Sequence, residues 1–283
     1  MKTATLSVAL ATYNEQDNIV DCLKSLKDIA SEVIVVDGSS TDQTRQLAKK
    51  HGATVYKTTN KPIFHINKNL AIKKCKGDWI LQLDADERLT SELRGEITKV
   101  LSGSYFGYTD WRSTSKYQAD NSPVAYWLKR RNYFLGHYFT KSGQYPDPVI
   151  RLFKRGYATL PAKSVHEQMR VNGPLAWLKS DLDHFATPTF SRYIQRENRY
   201  SSLTAQELKD QGVTINPISF INYIFIKPLS TFIAIYLRHK GFQDGFSGFV
   251  FALFSGLHHA LSYIKLWELT SSKRDLNLQT DWN

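Results

Sequence analysis

The apolar positions of the first hundred residues alternate between two periods. Leu6–Thr12 is a short apolar run of strand length, followed by Tyr13, Asn14 and Glu15. Over 18–30 the apolar residues Ile19, Cys22, Leu23, Leu26 and Ile29 return at helical spacing. A second strand over 32–36 ends in Asp37-Gly38-Ser39-Ser40-Thr41-Asp42, turn and cap residues that lead into a helix over 42–51. A short strand over 53–56, a helix over 67–76 and a strand at Trp79–Leu83 complete the series. Strand and helix alternating in this way predict an α/β fold with a mostly parallel sheet and helices on both faces.

The last of these strands carries the chemistry. Trp79–Leu83 is apolar except for Gln82 and reads as buried, yet it stops in Asp84-Ala85-Asp86-Glu87. Carboxylates where a buried strand leaves its sheet are costly unless something positive offsets them. Hard oxygen ligands suit Mg²⁺ or Mn²⁺, and ligands of open α/β sheets bind beyond the carboxyl ends of the strands. A divalent cation held by Asp84 and Asp86 is therefore expected. The competing expectation is an acidic turn that caps a helix starting near Ser91.

Beyond residue 102 the pattern loosens. The stretch 103–183 is rich in Tyr, Trp and Arg and is broken by Gly143-Gln144-Tyr145-Pro146-Asp147-Pro148, with one strand-like run over 149–153. A helical pattern returns over 189–210. Two long apolar, aromatic segments follow at 218–237 and 246–266. Each approaches the roughly 20 apolar residues of a bilayer span. Lys227 and Pro228 interrupt the first, and His258 and His259 sit in the second. Helices lying in the headgroup region fit this mixture best; helices packed on the catalytic domain or in a dimer, and true spans, are the alternatives.

The net charge of +11 over 283 residues points to an anionic partner: nucleic acid, phosphorylated small molecules or an acidic membrane surface. Arg130, Arg131, Lys154 and Arg155 form basic pairs beside aromatics, which suits phosphate recognition or a solvated face. No nucleic-acid-binding module is legible, and nucleic acid is not expected as a partner. Cys22 and Cys75 lack metal spacing, which predicts reduced thiols. Met1-Lys2-Thr3 runs straight into strand pattern without a signal-peptide core, so a cytoplasmic location is expected.

Neither a Gly-x-Gly-x-x-Gly fingerprint nor a P-loop follows any strand, so a bound diphosphate needs another source of positive charge. Ala11-Thr12-Tyr13-Asn14-Glu15, Val35-Val36-Asp37-Gly38-Ser39-Ser40-Thr41-Asp42-Gln43-Thr44, Lys68-Asn69 and Leu83-Asp84-Ala85-Asp86-Glu87 together resemble the ordered signature of family 2 glycosyltransferases of the GT-A fold. The resemblance covers about residues 5–95. Tyr145-Pro146-Asp147, Arg151 to Arg155, Val165-His166-Glu167, His184, the run 241–246 and the run 263–269 are similar to the lipopolysaccharide inner-core β-1,4-glucosyltransferase branch. Strand two reads Asp37-Gly38-Ser39-Ser40 where many members carry a second Asp.

The resemblance implies roles position by position. Thr12, Asn14, Glu15, Asp37 and Ser39 would hold the nucleoside, Lys68 the diphosphate, and Asp84 and Ala85 the ribose or metal-bound water. Asp86 would ligate a divalent metal, with Asp84 and His184 completing its shell. Glu167 is the candidate general base, with His166 to orient it, and Arg130, Arg131 and Arg151 are candidates for the acceptor. The expectation is a GT-A catalytic domain over 1–188, divided into a nucleotide-sugar half (1–100) and an acceptor half (101–188). A helical, membrane-surface region follows over 189–283. The implied activity is inverting transfer, from UDP-glucose with Mg²⁺ or Mn²⁺, to a membrane glycolipid such as inner-core heptose. It would take place peripherally at the cytoplasmic side of the inner membrane. A polyprenyl-phosphate, capsule or protein acceptor, and a metal-dependent nucleotidyltransferase, are the competing readings.

Overall fold

The structure is a computed structural model that describes residues 3–61, 63–116, 122–161 and 168–271. Two compact units make up the chain. One comprises Met1–Arg131 with Asp147–His184, and the other comprises Asn132–Pro146 with Phe185–Asn283. The division is thus not a single cut: the segment 132–146 belongs with the helical tail.

In the first unit the expected alternation forms as β1 (Leu6–Thr12), α1 (Ile19–Ser25), β2 (Glu32–Asp37), α2 (Thr44–Lys50), β3 (Thr54–Lys57), α3 (His65–Lys74) and β4 (Trp79–Leu83). Then come β5 (Glu87–Leu89), α4 (Ser91–Leu101), β6 (Ala125–Phe134), β7 (His137–Tyr138), β8 (Asp147–Lys154), β9 (Ala158–Thr159), β10 (Arg170–Val171) and β11 (Leu175–His184), of which β7 and the last three residues of β6 belong to the second unit. The main sheet runs β3-β2-β1-β4-β8-β6-β11-β5. It is parallel from β3 to β4 and antiparallel where β8 meets β4 and β6. The sheet is therefore mixed rather than mostly parallel. Among the described residues, β6, β8 and β11 are joined without crossover helices of the kind parallel strands require.

Period-2 burial gives the sheet its two covered faces. Leu6, Val8, Leu10, Leu81 and Leu83 pack with Ile19, Cys22 and Leu23 of α1 and with Leu93 and Ile97 of α4. Ala9, Ile34, Val36 and Ile80 face the other way, with Ala71 of α3 and Phe153 of β8. Every residue of β4 is buried, Gln82 included. Cys22 and Cys75 are buried free thiols, and burial pushes Cys75 up to about 12.

The second unit is built on α5 (Phe190–Asp210), capped by Thr189, whose hydroxyl accepts from the Arg192 N–H. It continues as a 22-residue helix, α6 (Pro217–Arg238), and after a short 3₁₀ turn as α7 (Gly245–Ser271). Pro228 does not end α6. Wide π-type turns at Asn222–Ile226 and Ala234–Arg238 flank it and absorb the missing donor. Asp244 at the start of α7 is 3% exposed. It accepts from Thr140 N–H and Oγ1, Lys141 N–H and Ser142 Oγ, at 2.7–3.0 Å, with His137 Nε2 at 3.1 Å. This one carboxylate fastens the loop 137–142 to the helices. Burial opposes its charge, but these donors win and hold it below the usual carboxylate range.

Candidate active site

The carboxyl ends of β1 and β2 are tied into one loop pair. Asp37, fully buried, accepts from Thr12 Oγ1 at 3.0 Å, Ser40 N–H at 2.9 Å, Ser40 Oγ at 2.5 Å and Arg45 Nη1 at 2.9 Å. Asn14 takes φ 53° and Ser39 φ 69°, the left-handed region in which a short polar side chain can still bond locally. Asn14 Oδ1 accepts from the Thr41 N–H at 2.8 Å, and Ser39 Oγ donates to the Thr58 carbonyl at 2.7 Å. The Glu15 N–H donates to Thr44 Oγ1 at 2.8 Å, and its carboxylate accepts from Asn18. All five residues expected to hold a nucleoside are thus gathered at the ends of two adjacent parallel strands. Thr12 and Asp37 form the floor, and Tyr13 is exposed beside them.

At the end of β4 the chain turns through Asp84, Ala85 and Asp86. The Glu87 N–H bonds back to the Asp84 carbonyl at 3.0 Å, and the Asp84 N–H donates to Glu87 Oε2 at 2.9 Å. The acidic turn does not cap α4; the Thr90 hydroxyl does, accepting from the Leu93 N–H at 3.1 Å. Asp84 is instead matched by two cations: Lys68 of α3 at 2.5 Å on one oxygen and Arg151 of β8 at 2.6 Å on the other. Arg151 also donates to Glu87 at 2.7 Å and to Gln82 Oε1 at 2.5 Å. Arg130 adds contacts to Glu87 at 3.6 Å and Asp147 at 2.7 Å.

The electrostatics follow from this packing. Burial works against charge on Asp84, but Arg151 and Lys68 overcome it and hold the carboxyl well below the usual carboxylate range. For Arg151 burial is likewise outweighed, here by Asp84 and Glu87, and its pKa rises. Lys68 moves downward: burial, with Arg151 nearby, exceeds the pull of Asp84. The opposite tendencies within the Lys68–Asp84 pair have one cause. Asp84 has two cationic partners, whereas Lys68 shares its one close carboxylate with a guanidinium. Of the two, Lys68 has more to gain from a further anion.

Asp86 is brought to His184 by the antiparallel pairing of β5 with β11, in which His184 faces Glu87. Asp86 Oδ2 lies 3.5 Å from His184 Nε2. Both side chains are mostly buried, at 20% and 13% exposure. Among the described residues no group of three or more His, Cys, Asp or Glu converges in metal-holding geometry. An oxygen and a nitrogen donor this close fit an open site, of the kind that hard cations fill with substrate phosphates and water. Asp84 departs from that set, because both its oxygens face cations.

Two further expectations change with the structure. Arg151, expected to meet an acceptor, is 6% exposed and is the counter-ion of the acidic turn. Arg131 donates to Asp183 at 2.7 and 2.9 Å, and Arg130 is engaged as above, so the basic pair is matched by carboxylates rather than left as an anion patch. Glu167 and His166 lie outside the described residues. β9 pairs with β10, and Asn69 clamps Leu160 with bonds of 2.8 and 3.1 Å. The sequence shows Glu87 in the acidic run and Gln82 as the polar member of β4 but gives neither a role, because their shared partner Arg151 is remote in the chain, and Arg45 carries no local signal.

A mixed α/β sheet thus presents polar loops and an acidic turn at the ends of β1, β2 and β4. The chain belongs to glycosyl transferase family 2, whose profile matches residues 7–159, more than half its length. It is a glycosyltransferase. It is 26% identical to a lipopolysaccharide core biosynthesis glycosyltransferase of Rhizobium meliloti, covering 96% of each chain. It is 27% identical to an uncharacterized glycosyltransferase of Rickettsia typhi, over 96% of this chain and 89% of that one. Among solved structures it is similar at a distance to TarS 1-349 of S. aureus, with a TM-score of 0.41 and 16% identity over 95% of this chain and 91% of that one.

Proposed function

We propose that this glycosyltransferase moves glucose from UDP-glucose, with inversion, to a hydroxyl of a membrane glycolipid, the inner-core heptose of lipopolysaccharide. The observation that carries the reading is the Asp84-Ala85-Asp86 turn, with Asp86 set against His184 and Asp84 against Lys68. The relative named for lipopolysaccharide core biosynthesis, similar over nearly the whole of both chains, supports the acceptor class.

In this reading Thr12, Asn14, Glu15, Asp37 and Ser39 seat the uridine, and Asp84 and Ala85 its ribose side. Lys68 pairs with the diphosphate. Asp86 and His184 would hold Mg²⁺ or Mn²⁺, which when bound supplies a Lewis acid for the leaving phosphate. Glu167 takes the proton of the acceptor hydroxyl as its oxygen bonds to the anomeric carbon. The bond from that carbon to the diphosphate oxygen breaks on the opposite face, and UDP leaves. Arg130 and Arg131 border the acceptor side, where their carboxylate partners set their direction.

The reading places the protein on the cytoplasmic side of the inner membrane, bound peripherally through the helical unit. α6 and α7 are long and apolar enough to cross a bilayer. Only 6% of α6's apolar window is buried, and Ile218, Leu229 and Phe225 are 81%, 60% and 58% exposed. Soluble chains rarely leave so continuous an apolar face in water.

Transfer of radiolabelled glucose from UDP-glucose to heptose-terminated lipopolysaccharide tests the reaction. Glu167→Gln should lower turnover by about 10²-fold or more while UDP affinity stays unchanged, the pattern of a lost general base. An unaltered rate would assign the base to another residue.

A further inference from the structure

Asp84 stands with both of its carboxylate oxygens taken. Oδ1 receives Lys68 Nζ at 2.5 Å and Gln82 Nε2 at 3.3 Å, and Oδ2 receives Arg151 Nη2 at 2.6 Å. A carboxylate oxygen has two lone pairs, so Oδ1 has no room for a further donor. The side chain is nevertheless about a quarter exposed, which leaves it within reach of a ligand.

The two cations are held with different firmness. Arg151 also donates to Gln82 Oε1 at 2.5 Å and to Glu87 Oε1 at 2.7 and 3.2 Å. A planar guanidinium fixed by that many bonds cannot turn away from one of them without straining the others. Lys68 carries a compact ammonium on a flexible stem. Asp84 lies on one side of it, and the Phe64 ring on another, with the centroid 4.7 Å from Nζ. Lys68 is 7% exposed, whereas Phe64 is 42% exposed. The ammonium thus sits between a carboxylate and a ring that opens to solvent. An anion arriving beside Phe64 can replace Asp84 as its partner while Arg151 stays on Asp84. Neither buried charge is then left uncompensated, which is the costly alternative.

We propose that Lys68 is a hand-over residue: it occupies Oδ1 of Asp84 until a nucleotide binds, passes to the diphosphate, and so frees Oδ1 to accept from a ribose hydroxyl. The ribose contact and the diphosphate contact then strengthen each other, although they belong to different parts of one ligand. A nucleoside alone meets an occupied carboxylate; a nucleoside diphosphate both releases that carboxylate and uses it. The hand-over rests on the nucleotide-site reading above, and adds how the site favours the diphosphate beyond the phosphate contacts themselves.

Four ligands test it in the full chain at constant Mn²⁺: uridine, UDP and the 2′,3′-dideoxy form of each, with affinities read by competition titration. In the wild type, loss of the hydroxyls should weaken UDP about ten-fold, the size of one hydrogen bond to a charged group. The same loss should weaken uridine less than about two-fold, because Asp84 is still held by Lys68. In Lys68→Met uridine should bind about five-fold more tightly than in the wild type and UDP more weakly, with the hydroxyls counting equally in both ligands. Equal hydroxyl effects in the wild type, an inequality that persists in Lys68→Met, or uridine that binds Lys68→Met no better than the wild type would overturn the hand-over. The wild-type comparison needs no substitution, so it decides the matter even where Lys68→Met does not fold. A wild type that binds neither uridine nor UDP would overturn the nucleotide-site reading, and the hand-over with it.

Discussion

Asp84 shows how little of a binding turn is settled by the residues next to it in sequence. Its charge is tolerated because Lys68 and Arg151 meet its two oxygens at 2.5 and 2.6 Å. Removing one partner of a buried pair is more damaging than never having made it. Asp84 is about a quarter exposed, so Asp84→Asn should cost about 2–3 kcal/mol in urea denaturation, somewhat less than a fully buried pair. The pH dependence has a defined sign. Asp84 is deprotonated in the fold well below its unfolded pKa of about 3.9, so its contribution is full above that value and is lost as pH falls through the folded pKa. The wild type should therefore lose stability on acidification below about pH 4 more steeply than Asp84→Asn. Equal slopes would mean that the pairs are not formed in solution. The carboxylate run itself was legible in sequence as a strand ending in charge. Its neutralisation was not, because Glu87 and Arg151 are 64 positions apart and no local pattern links them.

At the scale of elements, the sequence announced whatever has a strong period and an undivided run. β1 to β4 and the three long tail helices fall close to the expected spans, and the helix over 18–30 proves shorter, Ile19–Ser25. β6 and β11 were hidden. They mix charged and aromatic residues along ten positions each, as in Ala125–Phe134, and their pairing with other strands, not their own pattern, makes them strands. β11 carries His184 to Asp86. Pro228 looked like an interruption and proves to be a contact: a Cβ on Gly256 of α7 would lie 2.5 Å from the Pro228 carbonyl oxygen of α6. Only a residue without a side chain permits that crossing. Gly256→Ala should cost about 1–3 kcal/mol in thermal melts, the usual range for overpacking. A variant as stable as the wild type would show that α6 and α7 do not cross this closely.

For the whole molecule, the combination of a net charge of +11 with a bare apolar helix face predicts adsorption to anionic lipid. Co-flotation with phosphatidylglycerol vesicles is expected. Replacing Ile218, Phe225 and Leu229 together by Glu should reduce it at least about ten-fold while UDP binding is retained, because these side chains are exposed and support no core. Flotation that survives the triple change would place the membrane contact elsewhere. In the proposed reaction a divalent cation and a nucleoside diphosphate meet at the end of β4. This is tested most directly by titrating UDP into the wild type and Asp86→Ala, each with Mn²⁺ and with chelator, and following both heat and melting temperature. Tight, Mn²⁺-dependent UDP binding is expected in the wild type, with its loss in an Asp86→Ala protein that melts normally without ligand. UDP binding indifferent to Mn²⁺, or undiminished in Asp86→Ala, would contradict it.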